Sequence, residues 1–108
     1  MSRKYQVIWS KTAYADLTEI IKYIAQDSPT NAQKILKTIR DTAANLNFSP
    51  QSGRVVPELQ DQGITQYQEL ILNPWRLMYK INADTVFVLS VIDSRQNVED
   101  ILLGRLTR

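Results

Sequence analysis

The chain switches between two hydrophobic periodicities, and the places where one replaces the other predict its elements. Residues 5–9 (YQVIW) are a short β-prone run that ends at Ser10, a residue type suited to a helix N-cap. Ala13, Leu17, Ile20, Ile21 and Ile24 then recur at helical spacing, with Asp16, Glu19, Lys22 and Gln26 filling the outer side. The stretch DSPTN breaks that pattern. Ser28 is placed to cap a second helix with Pro29 at its first position, where the missing amide donor costs nothing. Ala32, Ile35, Leu36, Ile39, Ala43 and Leu46 form the apolar stripe of this second helix. Two amphipathic helices joined by so short a turn predict an antiparallel hairpin.

The Pro and Gly content of NFSPQSGRVVPELQDQG (47–63) forbids a regular helix there, and Arg54 to Leu59 is expected to be extended. Period-two alternation then takes over. YQELILN (67–73) and NPWRLMYKI (73–81) are predicted strands, joined at Asn73-Pro74, and residues 81–84 form a hairpin turn. TVFVLSVID is apolar on both faces, as befits a central strand. In the tail, Val98, Ile101, Leu102 and Leu106 space as a short helix that Gly104 weakens towards its end. The predicted order is β-α-α-β-β-β plus a short C-terminal helix. It defines a single α+β domain over residues 1–108, with the helical hairpin packed on an antiparallel sheet.

Composition narrows the chemistry more than the fold. Hydrophobic residues at 44% and charged residues at 22% are ordinary for a globular chain. No apolar stretch is long enough to span a bilayer, the N-terminus lacks a signal-peptide core, and there is no cysteine. A cytoplasmic protein without membrane contact is expected. The charge of +2 and a pI near 9.0 permit nucleic-acid contact without demanding it. Histidine is absent, so acid–base chemistry must fall to Asp, Glu, Lys or Tyr, with Arg balancing anionic charge. Neither a metal nor another cofactor is implied.

Within NPWRLMYKI, Trp75, Leu77, Tyr79 and Ile81 take one face, and Arg76, Met78 and Lys80 the other. A guanidinium beside a methionine in mid-sheet suits neither plain core nor open solvent, so this face is a candidate working surface. Arg76 and Lys80 are spaced to approach one anion. Arg54 is held between Gly53 and Pro57, and Glu58 follows it as either a base or an ion-pair partner. Arg95 lies just past the last strand, where loops often carry function. Tyr67, Tyr79, Trp9 and Trp75 are first of all packing residues.

Taken together, the SP-x-SGR-VVPEL, YQELIL-x-PWRLMYKI and VFVLSVIDSR stretches, with the helix bearing Asp16, Leu17, Ile20, Tyr23 and Ile24, are more specific than any one residue. The chain resembles the RelE/ParE superfamily of bacterial type II toxins over nearly its whole length. The resemblance implies a growth-arresting toxin of a plasmid-stabilisation type of module, neutralised by a cognate antitoxin and meeting operator DNA only through it. It offers two targets. ParE-like members poison DNA gyrase, whereas RelE-like members cut mRNA on the ribosome. In the second case Glu58 would be the base, Arg54, Arg76 and Arg95 would balance phosphate charge, and Tyr79 or a lysine would be the general acid. Asp93, Ser94 and Arg95 stand where several nucleases carry His or Tyr, and the low net charge suits ribosome docking poorly. Both departures favour the gyrase reading, with the nuclease as alternative and a non-toxic antitoxin-binding module third. Arg54, Arg76, Met78 and Lys80 are the expected antitoxin-binding set.

Overall fold

The computed structural model describes residues 4–107. Strand β1 (Gln6–Trp9) leads to Ser10, whose side chain accepts a hydrogen bond from the Ala13 amide at 3.0 Å and so starts helix α1 (Lys11–Asp27). Ser28 accepts from the Asn31 amide at 3.2 Å and, with Pro29 in the first turn, starts α2 (Pro29–Ala44). Each cap satisfies an amide that has no partner inside its helix. A 3-10 turn (Asn45–Asn47) ends the hairpin. The chain continues through β2 (Arg54–Val55), the single helical turn α3 (Pro57–Gln60), β3 (Tyr67–Leu72), β4 (Trp75–Asn82), β5 (Thr85–Asp93) and α4 (Val98–Leu106).

The segment expected to be extended from Arg54 to Leu59 is therefore strand only at its first two residues. Pro57 ends the pairing with β3 because it has no amide to donate, and its fixed φ starts α3. Gly104 does not stop α4, which runs on to Leu106.

The five strands lie in the order β1-β5-β4-β3-β2. Four of them form the expected antiparallel sheet, and β1 adds to its edge parallel to β5, so that the whole sheet is mixed. The long excursion through the helical hairpin is what permits a parallel neighbour. α1 and α2 cover one sheet face, where Leu77, Tyr79, Val86, Val88 and Val91 meet Ala13, Leu17, Ile39, Ala43 and Leu46. On the other face Met78 and Ile92 meet Val56 and Leu59 near α3, and Val98 and Leu102 of α4, in a smaller second core.

A bulge explains why β5 is apolar at both parities. Met78 pairs with Ser90 but Tyr79 pairs with Val88, which leaves Leu89 unmatched. The extra residue swaps the faces, so Val86, Val88 and Val91 all reach the hairpin core. Among the described residues no helix is long and apolar enough to cross a membrane.

Candidate functional site: a closed charge network on the sheet

The site begins with the β3–β4 hairpin. Its register sets Leu72 opposite Trp75 and Ile71 opposite Arg76, which puts Glu69 diagonally across from Arg76 on the same face. The Nε of Arg76 donates to Glu69 Oε1 at 2.6 Å. Its two terminal nitrogens donate to the two oxygens of Glu58 on α3, at 2.7 and 2.6 Å. The second oxygen of Glu69 accepts from Arg54 Nε at 2.8 Å. Two arginines and two carboxylates thus form one connected, formally neutral cluster.

Burial makes the cluster consequential. The Glu69 side chain is fully enclosed and that of Arg76 is 9% exposed, whereas Arg54 is 60% exposed. The hydrogen bonds from Arg76 hold the Glu58 carboxyl below its ordinary range, with further help from the backbone and the nearby positive charges. Reciprocally, Glu58 is the main reason that Arg76 binds its proton even more firmly than a free arginine. A general base works best with a pKa near the working pH. Glu58 is displaced the other way, and the planar fork of Arg76 that would grip a phosphate is already filled by a carboxylate.

Tyr79 lies outside this cluster. It faces the hairpin core, and its hydroxyl donates to the Pro50 carbonyl at 2.8 Å and accepts from the Gly53 amide at 2.9 Å. Burial raises its pKa. The ring is a clasp for the 50–53 loop. Gly53 belongs to the same arrangement, because a Cβ there would lie 2.5 Å from the Glu69 carbonyl oxygen and 2.6 Å from the Tyr79 hydroxyl.

Arg95 closes on its own loop. Its Nε and backbone amide each donate to Asp93 Oδ1 at 2.9 Å, which lowers the Asp93 pKa and raises that of Arg95. Met78 is 2% exposed and belongs to the second core, so it forms the floor beneath the surface. Lys80 is half-buried on that same sheet face and has no ion-pair partner among the described residues. It lines a pocket of about 300 Å³ with Tyr67, Leu89 and Leu106.

Of the sequence candidates, the structure thus brings Arg54, Glu58 and Arg76 together, leaves Lys80 and Met78 beside them, and keeps Tyr79 and Arg95 apart. The residue missing from the expected set is Glu69. The hairpin register carried its signal, since a two-residue turn at Asn73-Pro74 fixes which residues stand diagonally opposite. Asp16, expected on the outer side of α1, instead turns inward. It accepts from the Val91 amide at 2.9 Å and from both terminal nitrogens of Arg105 at 2.8 and 2.9 Å, and so joins α1, β5 and α4. Among the described residues, no cluster of acidic side chains is placed to hold a metal ion.

Solved structures share this architecture. The toxin–antitoxin system ParDE from P. aeruginosa superposes with a TM-score of 0.68 at 20% identity, covering 85% of this chain and 98% of that one. The RelBE2 toxin–antitoxin complex from Mycobacterium tuberculosis gives a TM-score of 0.58 at 21% identity, over 83% of this chain and 91% of that one. The YoeB dimer from Staphylococcus aureus gives 0.52 at 18% identity, over 81% and 93%. The fold is that of RelE/ParE-like toxins.

Residues 7–98 match the model of the ParE toxin of the type II toxin–antitoxin system parDE, and the chain belongs to that family. It is also 29% identical over 86 residues to Toxin RelE2 of Caulobacter vibrioides, a match that spans 80% of this chain and 91% of the relative. The protein is a type II toxin of the RelE/ParE superfamily.

Proposed function

We propose that this toxin arrests growth by ParE-like inhibition of DNA gyrase, in the cytoplasm, and that a cognate antitoxin neutralises it. The observation that carries the choice of target is the occupied guanidinium of Arg76. With Glu58 clamped on the fork and Glu69 on Nε, a phosphate at this site must first displace a half-buried, doubly hydrogen-bonded carboxylate. Glu58 is a poor base and Tyr79 is enclosed, so the surface favours holding a protein over turning over RNA. Purified toxin should inhibit gyrase supercoiling, and induced expression should trigger the DNA-damage response. Translation in a reconstituted system should proceed with intact message.

The nuclease reading draws on the convergence of Arg54, Glu58 and Arg76 on one face and on the relative named RelE2. It requires the Arg76–Glu58 pair to open on the ribosome, leaving Glu58 to take the 2′-hydroxyl proton. Message cut within the ribosomal A site would establish it. A chain inactive in both assays that still binds the neighbouring gene product would be the non-toxic binding module.

For the antitoxin, the proposed surface is the sheet face bearing Arg54, Arg76, Met78 and Lys80. Its reachable groups are the free terminal nitrogens of Arg54 and the unpaired ammonium of Lys80, with Met78 as apolar floor and Arg76 held beneath. A segment carrying carboxylates beside apolar anchors fits those features, and operator DNA would be met only through that partner. Co-expression with the adjacent gene should yield a complex that Lys80→Glu weakens.

A further inference from the structure

The bulge in β5 shapes a pocket on the sheet face away from the hairpin. Adjacent residues of a regular strand face opposite ways, yet Leu89 and Ser90 both line the pocket of about 300 Å³ that reaches Lys80. Leu89, unmatched in the ladder, belongs to neither core. The pocket continues the second core outward. Buried Leu59, Met78 and Leu102 form its inner wall, and Leu106, one helical turn beyond Leu102, stands at its mouth at 40% exposure.

Lys80 supplies the charge. Its cross-strand neighbours are Tyr67 and Phe87, neither of them acidic, and no carboxylate lines the pocket. The other cation there, Arg105, is taken up by Asp16 and Ser90. Among the described residues Lys80 has no ion-pair or hydrogen-bond partner. A half-buried ammonium thus stands unneutralised beside an apolar wall, unlike the Arg54, Glu58, Glu69 and Arg76 cluster, which is neutral in itself.

We propose that this pocket binds a small aliphatic carboxylate, with its head group on the Lys80 ammonium and its chain along Leu89, Met78 and Leu106. One unneutralised cation suits a monoanion, and the apolar walls reward a hydrocarbon chain over a bare ion. Inorganic phosphate or a nucleic-acid backbone would leave those walls wet, and a cationic amphiphile would oppose Lys80. At about 300 Å³ the volume lies at the lower end for small-molecule sites, which suits a chain of medium length. Lys80 also belongs to the face proposed above for the antitoxin, but the pocket requires neither that partner nor either target.

The test titrates the purified chain with butanoate, hexanoate and octanoate at neutral pH, followed by methyl NMR shifts and calorimetry. Affinity should rise by about threefold for each added methylene that the walls enclose. Shifts should centre on the methyl groups of Met78, Leu89, Leu102 and Leu106. Octanol should bind more weakly than octanoate, and octylammonium more weakly still. Lys80→Met keeps much of the apolar stem while removing the charge. It should lower octanoate affinity by about tenfold and leave that for octanol as it was. Leu106→Asp changes an exposed position, so the melting temperature should hold while the new charge at the mouth weakens octanoate by a similar factor. This second variant decides the matter even if the first proves unstable. Affinity independent of chain length would mark a simple ionic contact and overturn the proposal. So would octylammonium binding as well as octanoate, shifts centred on Trp9 and Ile21, undiminished affinity in Leu106→Asp, or no binding at all.

Discussion

Glu58 and Arg76 meet as a matched pair, each terminal nitrogen of the guanidinium donating to one oxygen of the carboxylate at 2.7 and 2.6 Å. The contact closes α3 onto the sheet. It depends on Pro57, which starts the helical turn and so carries Glu58 over β4, and on the alternation that turns Arg76 away from the hairpin core. Because Glu69 lies beneath the same guanidinium, the pair is the outer half of a network with a fully buried inner member. This answers why a charge sits next to Met78 in mid-sheet. It is neutralised from two sides, and the methionine belongs to the small core next to it.

Arg76→Met should therefore destabilise the fold substantially. The substitution keeps much of the apolar stem but strands Glu69 without its buried cation, a change that costs about 3–5 kcal/mol when one partner of a buried pair is removed. Urea unfolding at neutral pH checks this. Adding Glu69→Gln to Arg76→Met should recover part of the loss, since the buried charge left with only the exposed Arg54 as partner is then gone. An Arg76→Met protein as stable as the parent would show that the network contributes little.

The same network sets a pH dependence. Glu58 has a folded pKa lowered from 4.5, chiefly by the Arg76 hydrogen bonds, so the folded state holds its proton less tightly than the unfolded chain does. Its contribution is present above the unfolded value and is lost as pH falls through the lowered folded value. Asp93, whose pKa is lowered by its hydrogen bonds from Arg95, adds an effect of the same sign. Unfolding free energy should thus decline on acidification below about 4.5, and Glu58→Gln should flatten that decline while lowering stability at pH 7.

Most of the architecture was legible because period-two and period-3.6 patterns rarely coincide. The caps at Ser10 and Ser28, the hairpin, the three consecutive strands and the terminal helix all follow from local pattern. What local pattern could not supply was pairing direction and charge partnership. Nothing within YQVIW says that it will lie parallel to a strand some eighty residues later. Arg76 stands out because a guanidinium beside Met78 in mid-sheet suits neither core nor solvent, but its role depends on Glu58 arriving from a different element. Asp16 shows the same limit: its helical position suggested solvent, and only the docking of α4 brings Arg105 to it.

Tyr79 supplies a sharper contrast between support and catalysis. Tyr79→Phe removes the donor to Pro50 and the acceptor for the Gly53 amide, leaving buried backbone groups unpaired at a cost of about 1–3 kcal/mol. Gly53→Ala should cost at least as much, because its Cβ collides with backbone as well as with the hydroxyl. Both proteins should melt earlier. At a temperature where each remains folded, Tyr79→Phe should arrest growth as the parent does; loss of toxicity at full stability would assign the hydroxyl a chemical role.

Asp16 and Arg105 offer the last test, because the acid has two separable duties. Its Oδ2 accepts from the Val91 amide as well as from Arg105, whose terminal nitrogen also donates to Ser90 at 2.7 Å. Asp16→Asn keeps an oxygen for Val91 but removes the charge that holds α4. Arg105→Lys keeps the charge but loses the planar two-pronged grip. Each should cost about 1.5–3 kcal/mol, in the range for hydrogen bonds to charged groups. The double substitution should cost less than their sum, since the two side chains act on each other. Hydrogen exchange locates the effect. Both variants should raise exchange in α4, and Asp16→Asn should leave the Val91 amide protected. Strict additivity, with α4 protection unchanged, would mean that Val98 and Leu102 hold the helix on the sheet by packing alone.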